Sequence, residues 1–297
     1  MPSSDKYRGR VAPSPTGYLH LGHARTFLIA AERARQFNGD LILRNEDLDP
    51  DRRRSEFVSA MYEDLRWLGI SWSEGPDCGG AYAPYSQSQR RQFYLAAWEK
   101  LRDVGAIYPC TCSRKDLAAS ASAPNDMDGE PLYRGNCRNR NDALSFENPA
   151  AANWRFRVFD AEEVMFDDQH VGLQRYVAGR DFGDFVVWRR DDVPAYQLAV
   201  VVDDHAMKIS EVVRGADLLK STARQLLIYR ALGLHPPEFY HCDLVRDETG
   251  ARLAKRHDAL SIRKLRESGW TADQVRARAL DSAAQSGKLP GCLGHRT

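Results

Sequence analysis

The sequence lacks several features that would assign the chain to a particular class of protein. Six cysteines in 297 residues are too few for a disulfide scaffold. The longest apolar runs, such as residues 198–202, are too short to span a membrane, and no apolar secretory signal follows the first charges. Neither a GxGxxG sequence nor a P-loop is present, so nicotinamide enzymes and P-loop NTPases are not supported. We expect a cytoplasmic enzyme that does not act in a membrane.

Neither sign of charge is in excess over the whole chain, which contains 42 Lys/Arg and 41 Asp/Glu. The basic residues are concentrated at one end, since residues 251–297 hold ten Lys/Arg against four Asp/Glu. Such a segment is suited to an RNA backbone, although solvated helix faces have the same composition. The charge distribution leaves both interpretations open.

Alternating strand and helix patterns dominate the first third of the chain. Apolar residues recur at helical spacing over 23–37, 55–68 and 89–104, and short strands are predicted at 10–12 and 41–44. This order predicts an α/β fold with a parallel sheet. The apolar run 196–202 predicts a further strand, and 217–232 a helix.

These patterns divide the chain into four parts. Residues 8–105 and 191–256 are predicted to be two halves of one α/β domain. Residues 106–190 form an insertion with short β-like runs at 154–159 and 185–189, and residues 257–297 form a helical C-terminal segment.

Two histidines follow the first strand, in the sequence RVAPSPTGYLHLGH at residues 10–23. His20 and His23 share one face of the predicted helix because residues three apart are neighbours there. The start of a helix carries outward N–H groups and partial positive charge, so this arrangement is suited to phosphate oxygens. By themselves, two such histidines are more typical of an ordinary helix surface than of a phosphate site.

An acidic segment, LRNEDLDPDR at residues 43–52, follows the second strand. Four carboxylates within six residues would lie at the carboxyl end of the parallel sheet, where ligands bind. A polar loop with local Arg–Asp pairs is the alternative.

A group of cysteines lies in the predicted insertion, in the order Cys110, Cys112, Tyr133, Cys137. Paired thiols suit tetrahedral zinc, and a structural site takes four ligands. Tyrosine is an uncommon ligand, so His170 and His241 are alternatives for the fourth position. Free thiols in a reducing compartment remain the other interpretation.

The segments 10–23, 43–52, 196–214 and 252–256 resemble, in order and spacing, the signatures of class I aminoacyl-tRNA synthetases in their glutamate-specific form. The basic sequence RLAKR at 252–256 occupies the position of the KMSKS loop, with Arg252 in place of the first lysine and Ala254 in place of the serine. The resemblance implies a Rossmann-type parallel sheet and ATP-dependent activation of glutamate with Mg²⁺.

The same resemblance implies a role for individual residues. Glutamate would be held by Arg10, Ala12, Ser14, Glu46, Tyr196 and Arg214. ATP would be bound by His20, His23, Arg252 and Lys255, of which His20, His23 and Lys255 would be catalytic.

The cysteine pattern and the short C-terminal region resemble a truncated branch of the family, the glutamyl-queuosine tRNA(Asp) synthetases. That branch implies one structural zinc on Cys110, Cys112, Tyr133 and Cys137. It also implies activation of glutamate without tRNA, transfer to queuosine in tRNA(Asp), and a monomer. Two alternatives stay open: a fragment of a conventional glutamyl-tRNA synthetase that charges tRNA(Glu), and a catalytically inactive RNA-binding module, which Ala254 supports.

Overall fold

A computed structural model describes residues 6–112, 132–133, 135–150, 152–245 and 261–281. The strands of these residues are β1 Arg8–Val11, β2 Asp40–Leu43, β3 Ile107–Cys110, β4 Asn153–Phe156, β5 Glu163–Asp168, β6 Gly172–Val177, β7 Phe185–Trp188, β8 Glu211–Gly215 and β9 Glu238–Cys242. Their α-helices are α1 Leu21–Gln36, α2 Ser55–Trp67, α3 Arg91–Asp103, α4 Tyr196–Ala206, α5 Leu219–Leu232, α6 Ile262–Glu267 and α7 Ala272–Leu280.

The candidate site lies at the ends of parallel strands. β1 pairs with β2, and β9 pairs with both β8 and β5, all in parallel. β8 lies beside β1, where the Ser210 N–H donates to the Arg8 carbonyl at 2.9 Å. The residues that follow β1 and β2 and the end of β8 therefore meet at one edge of the sheet, as α/β ligand sites require.

Residues 106–190 contribute strands to two sheets. β3, β4 and β7 form a separate antiparallel sheet, whereas β6 pairs with β5 and thereby extends the β8–β9 sheet. The β-like runs predicted at 154–159 and 185–189 are confirmed as β4 and β7, both slightly shorter than predicted.

The helices predicted from apolar periodicity are confirmed within two residues as α1, α2 and α3. The chain leaves α1 through Asn38, whose φ is +54°, and Gly39. A Cβ atom at Gly39 would lie 2.4 Å from the Tyr7 carbonyl oxygen, so only glycine fits this close approach of β1 and β2.

The prediction of a strand at 196–202 is wrong, since these residues form most of helix α4. All residues from Leu198 to Asp204 are buried, because α4 packs against α3, α5 and β7. A helix that is covered on every side shows no polar face, so a short apolar run does not separate it from a buried strand. The predicted helix 217–232 is a single 3₁₀ turn at Ala216–Leu218 followed by α5.

Two apolar clusters hold these layers together. One contains Trp98, Trp154 and Trp188 between the antiparallel sheet and helices α3, α4 and α5. The Trp98 and Trp154 rings meet edge to face at 4.8 Å. The other cluster packs α1, α2, α6 and α7 around β1 and β2. None of the helices in the described ranges is long and apolar enough to cross a membrane.

Candidate active site

A cavity of about 870 Å³ opens beyond the carboxyl ends of β1 and β2. Ser14, Glu46 and Tyr196, which are three of the residues predicted to bind glutamate, line it, and Cys112 lies at its wall. The Ser14 and Glu46 segments are joined by their backbones, because the Glu46 N–H donates to the Pro13 carbonyl at 3.0 Å. Ala12 is half-buried between β1 and this junction.

The two histidines cap helix α1. Nδ1 of His20 accepts from the Gly22 N–H at 3.1 Å, and Nδ1 of His23 accepts from the His20 N–H at 3.2 Å. Their rings stack with centroids 3.8 Å apart. The pair is thus fixed at the amino end of a 16-residue helix, where partial positive charge favours an anion.

The segment that carries Arg252 and Lys255 lies outside the described residues. Its next described neighbour, Ser261, forms an antiparallel bridge with His20, and the Ile262 N–H donates to the Leu19 carbonyl at 2.7 Å. The chain therefore returns from that segment directly beside the histidines.

Glu46 is anchored by a buried arginine. Nη2 of Arg44 lies 3.0 Å from Oε1 of Glu46, and Nη1 of Arg44 lies 2.6 Å from Oδ1 of Asp204 on α4. Burial raises the pKa of Glu46 above its usual value, while Arg44 and Arg10 oppose that shift. The Glu46 side chain is 8% exposed, so its carboxylate is a shielded partner for a cation.

Arg10 is buried beside Asp204, the carboxylate that also pairs with Arg44. Its Nη1 donates to the Val213 carbonyl at 2.8 Å, and its Nε lies 3.6 Å from Oδ1 of Asp204. Burial lowers the pKa of Arg10, an effect that Asp204 opposes. An additional anionic partner would stabilise the charged form of a guanidinium that is buried in this position.

Arg214, at the end of β8, is held by four side chains. Its Nε donates to Nε2 of His241 at 3.1 Å. Its Nη2 donates to Thr222 at 2.6 Å and to Gln225 at 2.8 Å. Its Nη1 lies 3.4 Å from the Tyr196 hydroxyl, which stands at the cavity wall. Arg10, Glu46, Tyr196 and Arg214 are therefore brought to one place.

The cysteines of the predicted metal site also come together. The sulfur atoms of Cys110, Cys112 and Cys137 all lie within 4.8 Å of one another. The Tyr133 hydroxyl is 3.5 Å from the Cys110 sulfur and 3.6 Å from the Cys112 sulfur, and it accepts from the Cys137 N–H at 2.9 Å.

The donor set and spacing of this cluster fit tetrahedral zinc. Zinc–sulfur bonds of about 2.3 Å place neighbouring ligands about 3.8 Å apart, close to the 3.6 Å between the Cys112 and Cys137 sulfurs. Burial would raise the pKa of the Cys137 thiol, but hydrogen bonds from Thr111 and Tyr133 lower it below its usual value, which favours a thiolate ligand. Burial raises the pKa of Tyr133, so its phenol ionises only beside a cation.

Neither histidine considered for the fourth position belongs to this cluster. His241 lies between Asp168 and Arg214, and His170 pairs with Asp243 at 3.2 Å. The group of possible metal ligands found among the described residues contains the three cysteines and no histidine.

Comparison with known families connects this geometry to a class of enzyme. The family model "tRNA synthetases class I (E and Q), catalytic domain" matches residues 6–278. The chain belongs to the class I tRNA synthetases. It is a ligase, as its sequence signatures predicted.

Relatives of known sequence refine the family membership. A Glutamyl-Q tRNA(Asp) synthetase of Nitratidesulfovibrio vulgaris is 47% identical over 275 residues, which cover 90% of this chain and 83% of the relative. One from Symbiobacterium thermophilum is also 47% identical, with the same coverage. Glutamate–tRNA ligase 2 of Syntrophus aciditrophicus is 42% identical, but the match covers 55% of that protein. The predicted resemblance to the glutamyl-queuosine branch is confirmed.

A solved structure supports the fold assignment. The crystal structure of a glutamate tRNA ligase from Elizabethkingia meningosepticum, in complex with its amino acid, superposes with a TM-score of 0.74 at 31% identity. The similarity covers 90% of this chain and 54% of that one, so the class I chain described here spans about half of the solved ligase. The predicted class I α/β fold with a parallel sheet is confirmed.

Sequence reasoning did not find the residues that support the site from behind. These are Arg44, Asp168, Asp204, Thr222, Gln225 and, in the role it occupies, His241. A signal existed for Asp168, since it occupies an inward position in the alternating strand β5 together with Val164. A carboxylate in the inward phase of a strand needs a buried partner.

Proposed function

We propose that this synthetase activates L-glutamate with ATP to glutamyl-adenylate without tRNA, and then transfers glutamate to queuosine in the anticodon of tRNA(Asp). The observation that carries the first step is that the shielded carboxylate of Glu46 and the Tyr196 hydroxyl line one cavity, with the buried guanidinium groups of Arg214 and Arg10 behind them. An amino acid with a carboxylate side chain complements this set of charges.

The ammonium group of glutamate is assigned to Glu46. Its side-chain carboxylate is assigned to Nη1 of Arg214 and to Arg10, with the Tyr196 hydroxyl beside them. Ala12 and Ser14 border the space for the α-carboxylate. Glutamine would leave a guanidinium charge unpaired in a buried site, so the enzyme should reject it.

In this reaction an oxygen of the α-carboxylate bonds to the α-phosphorus of ATP. The bond between the α-phosphorus and the oxygen that bridges to the β-phosphate breaks, so that pyrophosphate leaves. We assign His20 and His23, at the helix start, to the phosphates, and Arg252 and Lys255 to the departing pyrophosphate. Mg²⁺ accompanies ATP and neutralises part of its charge.

We assign a structural role to zinc at Cys110, Cys112, Tyr133 and Cys137. The cluster joins the end of β3 to the chain around residue 137, and the apolar core at this place is small, with Tyr108, Cys110 and Tyr133 as its buried members. A bound cation would link these segments where apolar packing is limited.

The acceptor is proposed from the relatives rather than from the site. Both relatives named Glutamyl-Q tRNA(Asp) synthetase are 47% identical to this chain, whereas the glutamate–tRNA ligase relative is 42% identical. This difference in identity supports the queuosine branch over a ligase that charges tRNA(Glu). We further propose that the protein acts as a monomer in the cytoplasm.

Glutamate-dependent exchange of labelled pyrophosphate into ATP tests the activation step. We expect exchange with glutamate and Mg²⁺ in the absence of any tRNA, and none with glutamine. Exchange that begins only after tRNA is added would contradict tRNA-independent activation. No exchange under either condition would favour the inactive RNA-binding alternative.

A further inference from the structure

Arg214 is held in one orientation by a chain of buried side chains that lies outside the cavity. Its Nε and Nη2 atoms are already engaged by His241, Thr222 and Gln225 at 2.6 to 3.1 Å. The guanidinium therefore presents Nη1 towards Tyr196 and the cavity. A two-pronged pairing through Nε and Nη2 would require Arg214 to abandon these partners.

His241 accepts from Arg214 only in one protonation state. Its Nδ1 lies 2.6 Å from Oδ2 of Asp168, and its Nε2 faces the Nε–H of Arg214. The ring must therefore carry its proton on Nδ1 and leave Nε2 as an acceptor. Burial lowers the pKa of His241, which favours this neutral form.

Asp168 selects that tautomer. Its Oδ1 accepts from the backbone N–H groups of His170, Val171 and His241 at 3.0 to 3.2 Å, which leaves Oδ2 for the imidazole. Burial alone would raise the pKa of Asp168, but the hydrogen bond with the His241 ring, together with these backbone hydrogen bonds, lowers it to about 2. The carboxylate is thus ionised and accepts a hydrogen bond from the Nδ1–H group of His241.

We propose that Asp168 and His241 are positioning residues that hold Arg214 with Nη1 directed at the side chain of the substrate. The inference rests on the proposed function, in which Arg214 meets the side-chain carboxylate of glutamate. It extends that function by assigning substrate affinity to two residues that do not line the cavity. A carboxylate that fixes an imidazole tautomer is a known device of catalytic sites.

Asp168→Asn is the sharpest test because it preserves shape. The three backbone N–H groups keep the amide oxygen at the Oδ1 position, so the amide NH₂ faces Nδ1 of His241. Nδ1 then becomes the acceptor, Nε2 carries the proton, and Arg214 loses the acceptor for its Nε–H. We expect the KM for glutamate to rise about tenfold or more, as for one lost charge-assisted hydrogen bond. The KM for ATP should change little.

A second substitution separates positioning from a general structural defect. His241→Gln places an amide oxygen near the Nε2 position, which accepts from Arg214 without help from Asp168. Adding it to Asp168→Asn should therefore lower the glutamate KM again. Asp167→Asn, the same change at the exposed neighbour, serves as the matched control and should leave all constants unchanged.

The outcomes also separate this inference from the proposed function. Absence of glutamate-dependent exchange in the unmodified enzyme would reject the function. An active enzyme whose folded Asp168→Asn variant keeps the original glutamate KM, or whose double variant is worse than Asp168→Asn, would overturn the positioning role. If Asp168→Asn does not fold, His241→Gln and His241→Leu answer the same question, and leucine should give the higher glutamate KM by about fivefold or more. Equal values would overturn the proposal.

Discussion

Arg44 and Glu46 lie two residues apart after β2 and form an ion pair of 3.0 Å, with side chains that are 0% and 8% exposed. Arg44 is itself fixed by Asp204, 2.6 Å away on helix α4. The acidic segment of the sequence is therefore not a solvated loop at this point, because its first carboxylate is anchored from the protein interior. This anchoring is the basis for the role proposed for Glu46.

Glu46→Gln should weaken glutamate binding because it removes the anionic partner of the ammonium group. We expect the glutamate KM to rise about tenfold or more while the KM for ATP is little changed. Glu56→Gln, at an exposed position of α2, is the matched control. A normal glutamate KM in the folded Glu46→Gln variant would remove this residue from the site.

The same residue predicts a dependence on pH. Burial raises the pKa of Glu46, and only the ionised carboxylate pairs with the ammonium group. The glutamate KM should therefore increase as the pH falls through that pKa, and Glu46→Gln should lose this part of the dependence. The pyrophosphate exchange assay, repeated at several pH values, measures both.

Arg214→Ala should raise the glutamate KM by about tenfold to a hundredfold, since a charge-assisted hydrogen bond is lost. Its effect on the KM for ATP should be small. Arg175→Ala removes an exposed guanidinium on β6 and controls for loss of charge alone. Unchanged glutamate kinetics in Arg214→Ala would show that the side-chain carboxylate binds elsewhere.

His20 has two separable roles, and its substitutions should distinguish them. His20→Ala and His20→Asn should both lower kcat for adenylate formation, because either removes the imidazole from the phosphates. Only alanine also removes the helix cap, which costs about 1 kcal/mol of stability. Thermal unfolding measures that difference. We expect Lys255→Ala to lower kcat in the same way, and an effect on the KM for ATP alone would indicate ground-state binding.

Metal analysis tests the cysteine cluster. Protein purified without chelator should contain about one zinc per chain, as a closed four-ligand site requires. Cys110→Ser and Cys137→Ser should lose it, Tyr133→Phe should bind it more weakly, and Cys78→Ser, at an exposed cysteine, should retain it. Zinc-free protein whose thiols all react at neutral pH would show that packing alone holds this segment.

The sequence was most informative where local physics decides structure. Helices α1, α2 and α3 were predictable because each has apolar residues at helical spacing along one face. The spacing of His20 and His23 indicates the start of α1. Helix α4 was mistaken for a strand because its burial on all sides, a tertiary property, erases the helical period. Strands β8 and β9 were not predicted because neither has a continuous apolar run, and the burial of Glu211 and Arg214 in β8 depends on partners that are distant in the chain.

The residues of the candidate site also differ in how far local sequence could predict them. The residues proposed to face the substrate lie in compact motifs, so Arg10, Glu46 and Arg214 were predicted from the resemblance of those motifs to a known family. Asp168 and His241 act through each other across 73 residues, and no local pattern encodes that contact. Sequence alone therefore predicted the residues proposed to bind the substrate but not the side chains that orient them.

Transfer of labelled glutamate to tRNA is the measurement that tests the central claim most directly. The protein, ATP and Mg²⁺ would be incubated with tRNA(Asp) that contains or lacks queuosine, and with tRNA(Glu) as the competing acceptor. The proposed function predicts label on queuosine-containing tRNA(Asp) alone. Label on the acceptor end of tRNA(Glu), with queuosine-containing tRNA(Asp) unlabelled, would contradict it and identify the chain as part of a conventional glutamyl-tRNA synthetase.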